Sequence, residues 1–453
     1  MPSAVSKLDT LFLSLRGLIV AIVVAFLMLL LPVFYDYPSL QTAAIIVVLV
    51  SAIVCVAVFP LVYFKINSTI TVFAGRYHLP LAICLLVAPI SFVAAFFSYN
   101  GLSVTQRALV FGFLLPVCMI SLLILFCTAC AIARRLVEPA KLNRHNFYSF
   151  IAGTASTMVV IAVYITLERL RPQSALYSTI ITAAILALLG GVFIYIASSS
   201  HIPRFIRLEA PTKRTTAQKY SEFFSPFFSG KKWTSTLSVF VLFIAVFVSI
   251  FNMPRGVEFF SIDSGYATFA FITTGTFVII SFLLADKLLT GQNRFYIKLI
   301  SALLFLNAIV LLSIRHFTSF GIIDSAVFII AFSLVGVALG TALALIKLNT
   351  QEALMQTVGL KQGITSGFFA LLITLAIAIG ASLAISLGSF FSGIIANAVS
   401  LVMLITFIAF SAHETKSDNL TLNIPDYITQ TKIAKDIHGE SEISVSELNE
   451  DKQ

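Results

Sequence analysis

Acidic side chains are scarce in this chain: of its 20 aspartates and glutamates, nine fall in the last 42 residues and only 11 in the first 411. Charged residues of both signs make up 11% of the sequence, against about 25% in an ordinary water-soluble domain. With 59% apolar content, that scarcity excludes a soluble globular fold, which could not hide so much apolar surface. Histidine is also thin. The six, His78, His145, His201, His316, His413 and His438, are scattered with no H-E-x-x-H spacing, and the one H-x-x-x-x-D match, His413 to Asp418, falls in the last 42 residues, beyond the apolar runs. A membrane-embedded lipid or glycan transferase needs catalytic His, Asp or Glu at a membrane face, so that class ranks low. The five cysteines, Cys55, Cys84, Cys118, Cys127 and Cys130, form no spaced framework. Cys127 and Cys130 make a C-x-x-C embedded in LILFCTACAIA, which reads as packing residues on an apolar helix rather than a redox pair. No cofactor, metal or disulfide is expected.

What is abundant is apolar sequence in runs of roughly 20 residues, the length a helix needs to cross a hydrocarbon core. In lipid the backbone must satisfy its own hydrogen bonds, and a helix does so within one segment. The runs predict spans at Leu11 to Val33, Thr42 to Phe64, Leu79 to Tyr99, Leu109 to Ala131, Phe147 to Leu167 and Leu176 to Ser198. After a basic stretch come Thr236 to Phe251, Tyr266 to Leu288, Tyr296 to Ile314, Ile322 to Leu345, Gly363 to Leu387 and Phe390 to Ser411. The first run is too long for a signal core and reads as the first membrane helix. The organisation is six spans (1–198), a central loop (199–235), six spans (236–411) and a tail (412–453).

Positive residues test that count, because cytoplasmic loops carry the excess of Lys and Arg and a missed span would scramble the alternation. The loops on the side of the amino terminus hold 18 and those on the other side hold 5. The bias predicts an even number of spans with both termini cytoplasmic, in a bacterial inner (plasma) membrane. The tail carries nine acids against four lysines and few large apolar groups, so it reads as a solvated, disordered end. The basic residues line the inner loops of a membrane protein, where orientation and anionic lipid headgroups account for them without nucleic acid.

The loop after the second span reads KINSTITVFAGRYHLPLAICLL and that after the eighth LLADKLLTGQNRFYIKLISALL. Each has a glycine, then an arginine, then aromatic residues entering the next span: Gly75, Arg76 and Tyr77 in one, Gly291, Arg294, Phe295 and Tyr296 in the other. A weak repeat between halves is a mark of transporter folds. In these features the chain resembles the major facilitator superfamily, whose members have six plus six spans, a long central loop and a G-x-x-x-D-K/R-x-G-R-K/R loop after spans two and eight. The resemblance implies an all-α fold of twelve helices in two six-helix bundles. It also implies an inner-gate role for Asp286, Lys287, Gly291 and Arg294, with Gly75 and Arg76 as the remnant in the first half, where the acidic member is missing. The tenth and eleventh spans resemble drug-exporting members, with Gly336, Gly340, Gly363, Gly367, Gly380 and Gly388 as small residues that let helices approach. The fifth span has Gly153 alone and no proline, unlike the glycine- and proline-rich signature of proton-driven drug antiporters.

Ionisable residues within spans are few. Arg16 lies one turn inside the first span, Glu168 closes the fifth and Asp324 opens the tenth; these three are the candidates for proton coupling, although a long arginine at that depth also snorkels to headgroups. The expected central lining is neutral: Tyr164, Thr273, Thr274, Thr276, Asn307 and Asn397. With 42 phenylalanines, such a pocket suits an amphipathic or aromatic molecule. The reading is therefore a secondary transporter exporting a small lipophilic or amphipathic substrate by alternating access, coupled to a proton or cation and bathed in membrane lipid. The alternatives are the transferase and a non-transporting membrane scaffold or sensor.

Overall fold

The helices cover the apolar runs, and several extend beyond them: one reaches Val72, another begins at Pro139, and the last reaches Leu422, eleven residues into the stretch expected to be a disordered tail. The computed structural model of the chain describes residues 7–22, 25, 38–72, 78–97, 102–136, 139–170, 172–199, 215–228, 233–252, 262–289, 293–315, 317, 323–355, 360–386 and 392–422. Among these the first span is α1 (Lys7–Ser14) continued by a 3₁₀ stretch, Leu15–Ile19. Then come α2 (Pro38–Val72), α3 (His78–Phe97), α4 (Val104–Leu136), α5 (Pro139–Leu170) and α6 (Pro172–Ser199). A short α7 (Thr216–Phe228) leads to α8 (Trp233–Phe251), α9 (Ser264–Leu288), α10 (Arg294–Arg315), α11 (Asp324–Met355), α12 (Leu360–Ser386) and α13 (Ser392–Leu422).

Among the described residues nine helices are long and apolar enough to cross a membrane, and three more, Leu11–Ile22, Ile83–Phe96 and Phe368–Ala384, are shorter apolar stretches. The twelve fall on the twelve predicted spans. The helix not expected is α7, inside what reads as a loop. Its signal is a capping box: the Thr215 N–H donates to Gln218 Oε1 at 2.9 Å while the Gln218 N–H reaches Thr215 Oγ1 at 3.3 Å. Ser103 and Gln106 start α4 in the same way.

Large apolar side chains stand exposed at helical spacing along the outer faces, such as Ile83, Leu86 and Ile90 on α3 or Ile300, Leu303 and Val310 on α10. Stripes of that kind on many helices are unsuited to water and fit a lipid surface. Between helices the hydrophobic effect contributes little in lipid, so close packing depends on small residues. On α11, Gly336 rests on the backbone of Thr274 and Gly340 on the backbone of Val278 and Phe282, all on α9. Gly380 of α12 lies against Phe247 of α8. The approach expected for these three glycines is thus seen; Gly388 lies outside the described residues, as do the surroundings of Gly363 and Gly367.

Candidate functional site

The end of the bundle at which the odd-numbered spans begin is the basic end, and there helices of the two halves meet through aromatic rings. Phe150 of α5 stacks on Phe282 of α9 with ring centroids 4.1 Å apart and planes at 21°. Phe147 and Phe150 pack into a small cluster of the second half made by Phe282, Ala285 and Ala344 with Leu289, Ile297 and Leu343. Further from the basic end, the Met158 side chain of α5 lies on Gly275 of α9, where a side chain on residue 275 would collide with it.

The second seam is built around α7. Phe223 is fully buried between Phe59 of α2, at 5.7 Å and 82°, and Phe368 of α12, at 6.4 Å and 69°. Phe224 meets Phe368 edge-on at 6.2 Å, and the Tyr220 hydroxyl donates to the Ala57 carbonyl of α2. Edge-to-face and offset-stacked rings are worth about 0.5–1.5 kcal/mol each beyond their burial. Both seams are apolar, a form of contact that can part and re-form without stranding a charge.

One charge pair among the described residues lies beside the first seam and within the second half. Lys347 of α11 donates to both Asp286 carboxylate oxygens at 2.7 Å and stands 5.6 Å from the centroid of Phe282. Asp286 is one turn beyond Phe282 on α9, so the pair ties α11 to the part of α9 that presents this ring. Lys347 as its partner was not legible in the sequence, where it reads only as one more positive loop residue. Arg294 does not bond Asp286 in the hydrogen bonds described; it donates to Ser235 Oγ of α8 at 2.8 Å and to Asn349 Oδ1 of α11. Lys287 is exposed. Gly75, Arg76 and Gly291 lie outside the described residues. Lys298, counted with the positive loop residues, is instead buried in α10, at 2% exposure.

The Asp286 side chain is 35% exposed, and a solvent-screened pair is worth little. Asp286→Asn is therefore expected to lower stability by no more than about 1 kcal/mol, read as the thermal unfolding midpoint of the purified protein.

The residues expected to line a central pocket are only partly brought together. Thr273, Thr274 and Thr276 all point their hydroxyls back to carbonyls of α9, at Ala270, Ala270 and Ile272. Tyr164 is half-buried and packs on the core. Asn307 is exposed on the face of α10 that carries Leu303 and Val310, and its amide bonds the Leu303 carbonyl at 2.8 Å. Asn397 of α13 is buried and donates to Ser313 Oγ of α10 at 3.1 Å, tying two helices of the second half. Asp324 is the first residue of α11 and half-buried, a carboxylate at a positive helix end. Glu168 lies in α5, with its side chain outside the described residues. Arg16 does not snorkel: it is buried and bonded to α5.

No family model and no curated protein matches the chain. Solved structures do. A bacterial homologue of the iron transporter ferroportin in an outward-facing state is 17% identical with a TM-score of 0.57, the alignment covering 90% of this chain and 100% of that one. The nucleoside transporter NupG, in a point-mutant form, is 14% identical with a TM-score of 0.57 over 89% and 100%. The xylose transporter XylE from E. coli, in a partially occluded inward-open conformation, is 12% identical with a TM-score of 0.58 over 88% and 95%. Identities this low speak to fold alone. That fold is the major facilitator arrangement of two six-helix bundles, and the chain is an integral membrane protein.

Proposed function

We propose that this protein is a secondary transporter working by alternating access, with its basic end as the cytoplasmic gate. The observation that carries the reading is the pair of aromatic seams, Phe150 on Phe282 and Phe223 between Phe59 and Phe368, joining the halves at one end of a fold that its neighbours use for transport. Asp286, Lys287 and Arg294 support the gate from within the second half, and Gly75, Arg76 and Gly291 are the further gate residues that the family resemblance implies. The two bundles, 1–198 and 236–411, rock about a central site, with the acidic tail and the amino terminus both in the cytoplasm of a bacterial inner membrane.

The substrate is a small lipophilic or amphipathic molecule moved outward. Support comes from the neutral polar groups described on α9 and α13, where Thr273 and Thr274 bond carbonyls of their own helix and Asn397 bonds Ser313. Tyr164, Thr273, Thr274 and Asn397 are the groups for substrate contact; Thr276 and Asn307 are exposed on faces of α9 and α10 that also expose large apolar side chains and drop out of the set. Asp324 and Glu168 are the carboxylates available for proton coupling. Among the described residues no three His, Cys, Asp or Glu side chains come together.

The test is reconstitution in proteoliposomes with a panel of amphipathic aromatic compounds, with and without an imposed proton gradient. Saturable flux that follows the gradient is expected. Saturable flux indifferent to the gradient removes the coupling, and a panel that moves no faster than in empty liposomes sinks the transporter reading in favour of a scaffold or sensor.

A further inference from the structure

Arg16 sits in the 3₁₀ stretch that interrupts the first span and is 4% exposed. Its Nη1 donates to His145 Nε2 at 2.6 Å and its Nη2 to Asn146 Oδ1 at 2.7 Å, with the Leu13 carbonyl 3.5 Å away. All three acceptors are neutral, since a ring nitrogen that receives a guanidinium proton carries none of its own. A guanidinium out of water is costly and persists where its fork is used. The next residue presses the same contact: a side chain on Gly17 would fall on the Ser149 carbonyl and come within 2.6 Å of the Gly153 nitrogen. The interrupted segment of the first span is thus held to α5 at residues 145, 146, 149 and 153.

Those positions bear on the gate. Asn146 and Phe150 are four residues apart and share one face of α5, and Phe147 is the neighbour of Asn146. Phe147 and Phe150 are the rings seated in the second half against Phe282, Ala285 and Ala344. The hydrogen bonds described for Arg16 stay within the first half. A 3₁₀ stretch inside a longer helix often marks a hinge.

We propose that Arg16 is a positioning residue of the cytoplasmic gate: it sets the rotation and height of the basic end of α5, and so the seating of Phe147 and Phe150, while the 3₁₀ stretch passes movement of the first span to that seat. This rests on the alternating-access reading and adds to it a route by which the first span controls closure through α5.

The experiment places a cysteine at the buried Ala344 in the full-length protein in nanodiscs. It measures the labelling rate with a water-soluble maleimide against the same chain without that cysteine. Arg16→Gln is expected to raise the rate about tenfold, Phe150→Ala to raise it similarly, and the double variant to fall well short of the product of the two effects, because Phe150 is one of the two rings that Arg16 seats. Arg16→Lys keeps the charge and loses the fork, so it falls between wild type and Arg16→Gln. Asn146→Ala removes one acceptor and gives a rise of a few fold, serving where Arg16→Gln does not fold. Labelling unchanged in Arg16→Gln or Asn146→Ala, or effects that multiply in the double variant, overturns the proposal. Phe150→Ala leaving the rate unchanged removes the gate itself and the transport reading with it, whereas a rise in Phe150→Ala without one in the Arg16 and Asn146 variants removes this inference alone.

Discussion

Tying residue 150 to residue 282 is expected to stop solute flux altogether. With Phe150→Cys and Phe282→Cys in the full chain, a short cleavable thiol crosslinker spans the space now filled by two rings whose centroids lie 4.1 Å apart. Alternating access requires the basic end to part, and a covalent bridge there leaves one of the two states unreachable. A ligand can shift an equilibrium only by its differential affinity for the two states, a few kcal/mol at most for an ordinary substrate, so substrate binding cannot overcome a covalent tie. Flux in proteoliposomes should fall more than about tenfold, a change equivalent to at least ~1.4 kcal/mol, and recover on cleavage of the linker. A bridged protein that transports at the rate of the unbridged double variant would show that this seam is not a gate.

Gly340→Val should be the most damaging single substitution for stability. Its Cβ would land on Ser281 Oγ and the Val278 carbonyl and lie 3.0 Å from the Phe282 nitrogen. Backbone atoms of a packed helix cannot give way, so α11 must move off α9. Overpacking of this kind costs about 1–3 kcal/mol, and here the displaced helix also carries Gly336 out of its seat on Thr274 and Lys347 away from Asp286 and Phe282. A loss of roughly 3 kcal/mol or more is expected, measured by thermal or denaturant unfolding in detergent. The control is Gly112→Ala, where an added Cβ meets nothing within 4 Å. That change should be neutral or stabilising by up to about 1 kcal/mol. Equal effects at the two positions would mean that the α9–α11 approach is not what holds the second half together.

The candidate site was less legible than the helices. Asp286 stands out in the sequence as a carboxylate in an acid-poor chain, and it does lie beside the Phe150–Phe282 seam. Its partner Lys347 follows it by 61 positions and has nothing local to announce it. Arg16 reads as a snorkelling headgroup contact because depth along a span can be estimated from sequence, whereas the neighbour that accepts its hydrogen bonds cannot. Asn307 and Asn397 read alike, as buried amides; one turns out on an exposed face and the other bridges α13 and α10. The helix α7 was the recoverable omission, since its T-x-x-Q capping box is written plainly at Thr215 to Gln218.

Span number, span position and the uneven placement of basic residues came from sequence alone, because each depends on a window of about 20 residues and the cost of leaving a polar backbone in lipid. Pairings between helices did not. A helix that is apolar all round declares no face, so rotation about its axis, and with it which rings and charges meet, is decided only when small residues such as Gly17, Gly336 and Gly340 let particular helices close on one another. The seam of Phe150 on Phe282, the brace of Asp286 on Lys347 and the hold of Arg16 on α5 are consequences of that packing.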